Sequence, residues 1–203
     1  MVQLGKIQKP DAAEFAGKRK LYCIANIYSF EDASDDFNNL IEHYWYEVIQ
    51  HIEKIEVAGK IEKIFCEMIY QHGDEALSVL SKIDRHLSII IEKKMKEGAA
   101  LLPLESKEIL GPYTDWGSCL SVVFTNEVFN KVLEFYKEYS EKRLQHFLDI
   151  IEKNLSEAES GLLIMKDEER VELEFPKDIE VFLITPPSYD DIMTWLRKTH
   201  AET

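Results

Sequence analysis

Apolar residues follow two different patterns along the chain. Nearly continuous apolar runs of strand length, rich in β-branched and aromatic residues, predict four β-strands at 20–28, 62–70, 161–166 and 179–185. The lack of polar alternation within these runs is typical of parallel strands that helices cover on both faces. The sequence therefore predicts a helix-rich α/β fold, in which long amphipathic helices cover a small, mostly parallel sheet of about four strands.

Between the strands, apolar residues recur every three or four positions, as they do in helices that bury one face. The predicted helices lie, in chain order, between 31–37 and Ala58, from Gly73 to near Gly98, over 105–110, over 113–124, from Asn126 to about Ser156, and over 189–199. Gly111-Pro112 predicts a break after the third of these helices, because proline lacks the amide hydrogen that a helix interior requires.

The length of 203 residues suits one sizeable domain. Residues 1–19 contain Gly5, Pro10 and Gly17 and no sustained apolar period, so we expect an N-terminal arm there. No repeat, low-complexity tract or linker divides the remainder. This predicts a single α/β domain over 20–203.

Charge narrows the range of partners. The chain has 38 acidic and 24 basic residues, a net charge of −14, spread along its length. Such a surface repels the phosphates of nucleic acids and anionic membranes, so we expect neither as a partner. Cys23, Cys66 and Cys119 are isolated within apolar stretches, which favours reduced thiols over a zinc site or disulfides. With no signal-peptide pattern and no apolar run of about 20 residues, we expect a soluble cytoplasmic protein.

The first predicted helix contains histidine and aromatic residues that invite a functional interpretation. His43, Glu47 and His51 follow one another at single-turn spacing, but the helix rises about 12 Å from His43 to His51, too far for one metal ion. We interpret them as the polar flank of an amphipathic helix. Tyr44 and Trp45 fall on its apolar face and are expected in the core, whereas Tyr46 points elsewhere and is a candidate partner contact.

Candidate chemistry lies where predicted strands end, since parallel α/β sheets bind ligands at their carboxyl edge. Glu67 sits near the end of the second strand, followed by the turn 71-QHGD-74, and Asp167 lies in the turn 166-KDEER-170. A carboxylate within an apolar strand needs a partner, and Arg143 is the expected counter-ion. Such a pair can be structural as easily as functional. The predicted ligand pocket contains Glu67, His72, Asp115, Trp116, Arg143 and Asp167.

The order of elements resembles that of the TraB/Tiki group of presumed metal-dependent hydrolases, whose superfamily includes erythromycin-esterase-like enzymes. The matching segments are 62-EKIFCEMIY-70, 141-EKR-143 and 161-GLLIM-165, with Glu67, Glu141 and Arg143 as the polar matches. The resemblance implies histidines after the first and late strands. Here those places are 25-ANIYSFED-32 and 165-MKDEERV-171, and neither contains histidine.

Two functions remain open at this stage. We expect first a binding or regulatory module with no catalytic motif and no cofactor, which holds a small molecule or a protein partner and can form a homodimer. The alternative is an atypical hydrolase, distantly like the TraB/Tiki group, with Glu67, Arg143 and Asp167 as catalytic residues. In that case carboxylates would bind a hard divalent ion such as Mg²⁺ in place of histidine-bound metal.

Overall fold

The computed structural model describes residues 17–29 and 33–201, without the side chains of residues 200 and 201. It contains a parallel five-stranded sheet in which the strands have the spatial order β3-β2-β4-β1-β5. The strands are β1 (Arg19–Ala25), β2 (Ile61–Cys66), β3 (Ala100–Pro103), β4 (Ser160–Met165) and β5 (Ile179–Ile184).

Helices and one 3₁₀ turn connect these strands. They are α1 (Asp35–Ile55), the 3₁₀ turn Glu56–Ala58, α2 (Gly73–Ile83), α3 (Arg85–Lys96), α4 (Lys107–Leu120), α5 (Asn126–Asn154), α6 (Asp167–Arg170) and α7 (Pro187–Ala201). The predicted α/β class and single domain are confirmed. The predicted arm lies mostly outside the described residues, although Arg19 belongs to β1 and is buried.

Three details of the predicted elements were wrong. The run 99-AALLPL-104 forms a fifth strand, β3, which is short and lies at an edge of the sheet, where its terminal proline is tolerated. The predicted helix from Gly73 to Gly98 is two helices, because the Asp84 carboxylate accepts hydrogen bonds from the amides of His86 and Leu87 and starts α3. β1 and β2 also end earlier than predicted, at Ala25 and Cys66.

The predicted break at Gly111-Pro112 was also wrong, since α4 runs through both residues. Pro112 removes one hydrogen bond early in the helix. Packing against α5 compensates for this loss: the Tyr113 ring stacks on Tyr136 at 5.0 Å, and the Trp116 ring stacks on Phe135 at 4.8 Å. Tertiary contact therefore outweighs the local preference at this proline.

Alternate residues of each strand feed two hydrophobic cores, one on each face of the sheet. Tyr22 and Ile24 join α1, α2, α3 and α7 on the first face. Leu21 and Cys23 join the second half of α5 and the β4–β5 connection on the other face. The apolar face predicted for α1 is confirmed, and both Tyr44 and Trp45 are fully buried there.

The strand order reverses direction within the sheet. From β1 the chain crosses α1 to reach β2 and then β3, and it returns across α4 and α5 to insert β4 between β2 and β1. The connection that follows β1 therefore lies on one face of the sheet, and the connection that follows β4 lies on the other face. A crevice is expected at the carboxyl ends of such strands, and this is where α/β folds bind ligands.

The two halves of α5 pack against different parts of the structure. Its second half supplies Phe147 and Ile151 to the core, whereas its first half packs on α4, and α4 buries none of its own residues. We call residues 107–139 the α4–α5 hairpin. Across the described ranges, no helix is both long and apolar enough to cross a membrane.

Candidate functional site at the carboxyl edge

Three neighbouring strands end in polar residues on the same edge of the sheet. Asn26, Glu67 and Lys166 follow β1, β2 and β4 directly. The amide of Asn26 donates to the Met165 carbonyl at 2.9 Å, and that of Glu67 donates to the Ile164 carbonyl at 3.0 Å. These bonds continue the parallel ladder past the strand ends, so the backbone fixes the side chains of Asn26 and Glu67 beside one another.

The Glu67 carboxylate is the centre of this edge and is 1% exposed. Its Oε1 accepts a hydrogen bond of 2.9 Å from the Tyr28 hydroxyl and one of 3.1 Å from Asn26 Nδ2. Among the described residues, neither Glu67 Oε2 nor Asn26 Oδ1 has a hydrogen-bond partner, although both atoms are buried. Two adjacent acceptors are thus left unsatisfied, which is costly in a protein interior.

Burial raises the pKa of the Glu67 carboxyl. The Lys166 backbone amide opposes this increase, the charge of Glu169 adds to it, and the Tyr28 hydrogen bond and the Arg143 charge offset a further part. Burial, with the neighbouring Glu67 charge, also raises the pKa of the Tyr28 hydroxyl, so that Tyr28 stays protonated and donates. The site therefore holds a carboxyl group that takes up a proton more readily than an exposed glutamate.

The backbone beside Glu67 is strained. Met68 has a φ of 63°, in the left-handed region that residues other than glycine rarely adopt. Its amide donates a 3.1 Å hydrogen bond to Glu105 Oε1, which holds this conformation. Strain of this kind costs about 1–3 kcal/mol and is concentrated at functional sites. It directs the chain away from β2 immediately after the buried carboxylate.

Arg143 anchors the edge from the second face of the sheet. Its Nε donates to both carboxylate oxygens of Glu105 at 3.0 Å, its Nη2 donates to Glu105 Oε1 at 2.6 Å, and its Nη1 donates to Glu169. The guanidinium lies between the rings of Tyr113 and Phe147, 4.9 and 4.7 Å from their centroids. Three carboxylates thus approach one cation, because Glu67 Oε2 is 3.9 Å from Nη2.

This arrangement leaves Arg143 little capacity for an external ligand. Burial acts to lower the pKa of the guanidinium, but hydrogen bonds and charges from Glu105 and Glu169 reverse the effect and raise it above its ordinary value. Most of its donors are already engaged by those two carboxylates. We therefore assign Arg143 a structural role: it offsets the charge of the acidic edge and positions Glu105 and Glu169.

A cleft of about 230 Å³ opens at the ends of β1 and β4, next to the two side chains that hydrogen-bond to Glu67. Asn26 and Tyr28 form its inner wall, and apolar residues of α1 and α7, including Phe37 and Leu196, form another. Asp167 lies at its rim, where its carboxylate accepts a 2.8 Å hydrogen bond from Arg170 and a 3.4 Å one from the Tyr189 hydroxyl. The cleft therefore combines buried acceptors with an apolar wall.

A second, larger cleft of about 500 Å³ lies on the β3 side of Arg143. Glu105 forms part of its floor, so the Arg143–Glu105 pair separates it from the edge at Glu67. Its polar lining includes His72, His146, Lys107 and Lys153.

The structure brings together some of the predicted site residues and separates others. Glu67 and Arg143 meet, as expected, whereas Asp167 has its own partners at the rim of the cleft. His72 lines the second cleft, and Trp116 stacks on Phe135 in the hairpin, with Asp115 exposed beside it.

Sequence reasoning missed four residues of this edge: Asn26, Tyr28, Glu105 and Glu169. Asn26 and Tyr28 lie in the last residues of the predicted first strand, 20–28, and could have been recognised by that position. Glu105 follows the run 99-AALLPL-104, whose strand character was not recognised.

The carboxylates do not form the ligand set that the hydrolase resemblance implies. Within 17–29 and 33–201 there is no group of three or more His, Cys, Asp or Glu side chains placed to hold a metal ion. Glu67 and Asp167 are occupied by different partners, and Glu141, the third matched residue, is exposed on α5.

Comparison with known proteins adds no further assignment: no family model, curated protein or solved structure matches the chain. What the fold and the site define is a class, namely a parallel α/β domain with a buried polar site at the carboxyl edge of its sheet.

Proposed function

We propose that the chain is a small-molecule-binding module whose ligand occupies the cleft beside Glu67 and donates hydrogen bonds to Asn26 Oδ1 and Glu67 Oε2. The observation that carries this proposal is the pair of buried acceptors without a partner among the described residues. A ligand with N–H donors would satisfy both acceptors, and desolvated donors and acceptors that pair with one another recover the cost of burial.

The cleft also restricts the shape of the ligand. Its volume of about 230 Å³ is below that of sites for drug-sized molecules. Apolar side chains of Ile27, Met193 and Leu196 line the wall away from Asn26. The favoured ligand is therefore a small compound with an N–H-bearing head and a compact apolar part. An amine or amidine head suits the acidic surroundings better than a carboxylate.

Three matched probes test this proposal: benzylamine, benzamide and benzoate, each titrated into the protein and followed by NMR chemical shifts. The first two supply N–H donors and are expected to shift resonances of Asn26 and Tyr28, whereas benzoate supplies none and is expected to have no effect there. Asn26→Leu should abolish the shifts, and Gln145→Leu, on the exposed face of α5, should retain them. Equal binding of benzoate, or undiminished binding to Asn26→Leu, would contradict the proposal.

Hydrolysis remains the second candidate, favoured by the raised pKa of Glu67 beside a strained residue. A protonated carboxyl of this kind can act as a general acid. A distant relation to the TraB/Tiki group belongs to this candidate and stays a proposal. Ester or peptide hydrolysis that depends on added Mg²⁺ and disappears in Glu67→Gln would establish it in place of the binding module.

We further propose a cytoplasmic location without nucleic-acid partners. The net charge of −14 supports this, since it disfavours contact with phosphates. Cys23 and Cys66 are buried free thiols, and burial raises the pKa of Cys23 to about 12, which makes it unreactive. Retention of the protein on immobilised DNA or RNA at physiological salt would contradict the proposal.

A further inference from the structure

The α4–α5 hairpin exposes apolar side chains that the rest of the described structure leaves uncovered. Phe124, in the turn between the helices, is 100% exposed, and Val128 and Phe135 on α5 are 47% and 40% exposed. α4 buries no residue of its own, and its Trp116 ring stacks on Phe135 and widens the apolar surface. Exposed apolar groups in one continuous patch mark an interaction surface.

The spacing of these residues is that of a helix-pairing stripe. Phe124, Val128, Lys131 and Phe135 are separated by four, three and four positions. This 4-3-4 spacing places their side chains on one side of α5, continuing into the turn before it, and produces the seam along which two helices pack. Lys131 is the one polar residue of the stripe, and a single polar residue in such a seam fixes the register of the pair.

The charges beside the stripe are complementary to those of a second copy. When two α5 helices pair antiparallel about a twofold axis midway between Val128 and Lys131, Phe124 meets Phe135 and Val128 meets Lys131 of the other copy. Glu127, next to Val128, then lies close to the ammonium group of that Lys131. Each contact occurs twice. Within the described part of its own chain, Lys131 pairs with the exposed Glu134, a contact that solvent weakens.

The low charge in the middle of the hairpin also favours a second copy over other occupants. Residues 117–135 contain two acidic residues and one basic residue, so little of the overall charge of −14 opposes self-association there. An anionic membrane surface attracts clusters of lysine and arginine, and this segment has one lysine. We propose that the α4–α5 hairpin is a homodimerisation surface, in which two hairpins pack antiparallel along Phe124, Val128, Lys131 and Phe135.

Sedimentation of the full chain across about a hundredfold range of concentration tests this proposal. Wild type is expected to shift from one to two copies as the concentration rises. Phe124→Ser should weaken association by at least about a hundredfold, because two buried phenylalanines are lost per dimer. Val57→Ser, at an exposed position outside the hairpin, is the matched control and should leave association unchanged.

A charge exchange then identifies the occupant as a second copy. Glu127→Lys and Lys131→Glu should each weaken the dimer by about tenfold, since each replaces two attractive contacts by repulsive ones. The double exchange Glu127→Lys/Lys131→Glu should restore most of the affinity. Monomers at every concentration, or a double exchange no tighter than the single ones, would overturn the proposal. If wild type floats with neutral or anionic vesicles and Phe124→Ser does not, the hairpin binds a membrane surface, and the proposal is overturned.

Discussion

The carboxyl edge of the sheet and the α4–α5 hairpin depart in opposite directions from the usual distribution of polar and apolar residues. At the edge, charged groups are buried: Glu67, Glu105 and Arg143 are each at most 5% exposed. In the hairpin, large apolar side chains are exposed, and Phe124 is fully so. One continuous helix connects the two regions, because α5 supplies Arg143 to the edge and Phe135 to the hairpin.

The difference shows where each region obtains its missing partners. Buried charges must be satisfied inside the protein or by a ligand small enough to enter, and Arg143 satisfies Glu105 and Glu169 but leaves Glu67 Oε2 at 3.9 Å. Exposed apolar residues need no internal partner, so only another macromolecule can bury them. The edge is therefore suited to a small ligand, and the hairpin is suited to a partner of its own size.

The two regions are also in contact. Tyr113 of α4 donates to Glu169 at 3.2 Å, accepts a 2.9 Å hydrogen bond from the Tyr136 hydroxyl, and stacks beneath Arg143. A change in the base of the hairpin would thus reach the carboxylates of the edge through two side chains. This contact would give the proposed dimerisation a physical route to the proposed ligand site, and coupling requires that both ends favour the same arrangement.

The largest effect is expected from Arg143→Met, which removes the cation of the edge and keeps most of the side-chain volume. Glu105 and Glu169 would then be left with uncompensated charge in a buried setting. Breaking such a network costs about 3–5 kcal/mol of the free energy of unfolding, measured by urea denaturation at neutral pH. Lys142→Met, at the neighbouring exposed position, loses a surface pair with Glu138 and a contact with the Tyr139 ring, and it should cost far less than Arg143→Met because solvent screens both contacts.

Glu105→Gln in the Arg143→Met background provides a check that does not depend on side-chain packing. If unpaired charge causes the loss, neutralising the main partner of Arg143 should recover part of it. A double variant no more stable than Arg143→Met would show that the methionine packs badly between Tyr113 and Phe147, and it would contradict the electrostatic account of the edge.

A smaller, pH-dependent effect is expected from Glu67→Gln. Because the pKa of Glu67 is raised in the folded protein, its contribution to stability is fully present below the ordinary carboxyl pKa and is lost as pH rises through the raised value. In that interval the free energy of unfolding of wild type should fall relative to that of Glu67→Gln. Urea denaturation of both proteins across the interval measures the difference.

Glu53→Gln is the opposite control. Its hydrogen bond and ion pair with Lys93 lower the pKa of the exposed Glu53 carboxyl, so any contribution from this group is present above the ordinary carboxyl pKa and is lost on acidification. The two variants should therefore deviate from wild type with opposite pH slopes. Parallel curves for wild type and Glu67→Gln would contradict the assignment of a raised pKa to Glu67.

Patterns that depend on burial could be predicted from the sequence, and so could the general position of the site. Continuous apolar runs correctly predicted β1, β2, β4 and β5, because parallel strands are buried on both faces. Glu67 and Arg143 could be predicted as partners because a carboxylate next to an apolar strand requires one. Both predictions rest on large free-energy costs, of exposing an apolar strand and of burying an unpaired carboxylate, and these costs leave a recognisable pattern in a short stretch of sequence.

The remaining features depend on contacts between distant segments. Pro112 stays within α4 because Tyr113 and Trp116 stack on α5, and no local pattern records that contact. Asp167 shared the predicted pocket with Glu67, but in the structure Arg170 and Tyr189 bind the Asp167 carboxylate, while Glu169 reaches Arg143. The turn 166-KDEER-170 contains three acidic residues, and only the one-turn helix α6 decides which of them faces the edge.

The smallest effect on folding is expected from Phe124→Ser, although the same substitution should have a large effect on association. Phe124 is fully exposed within its own chain, so its replacement should change the free energy of unfolding of the monomer by less than about 0.5 kcal/mol. Urea denaturation must be carried out at a concentration where wild type is monomeric, since dimerisation would add to its apparent stability. A loss above about 1 kcal/mol at that concentration would mean that Phe124 packs within its own chain, and the contrast between a buried polar edge and an uncovered apolar hairpin would no longer hold.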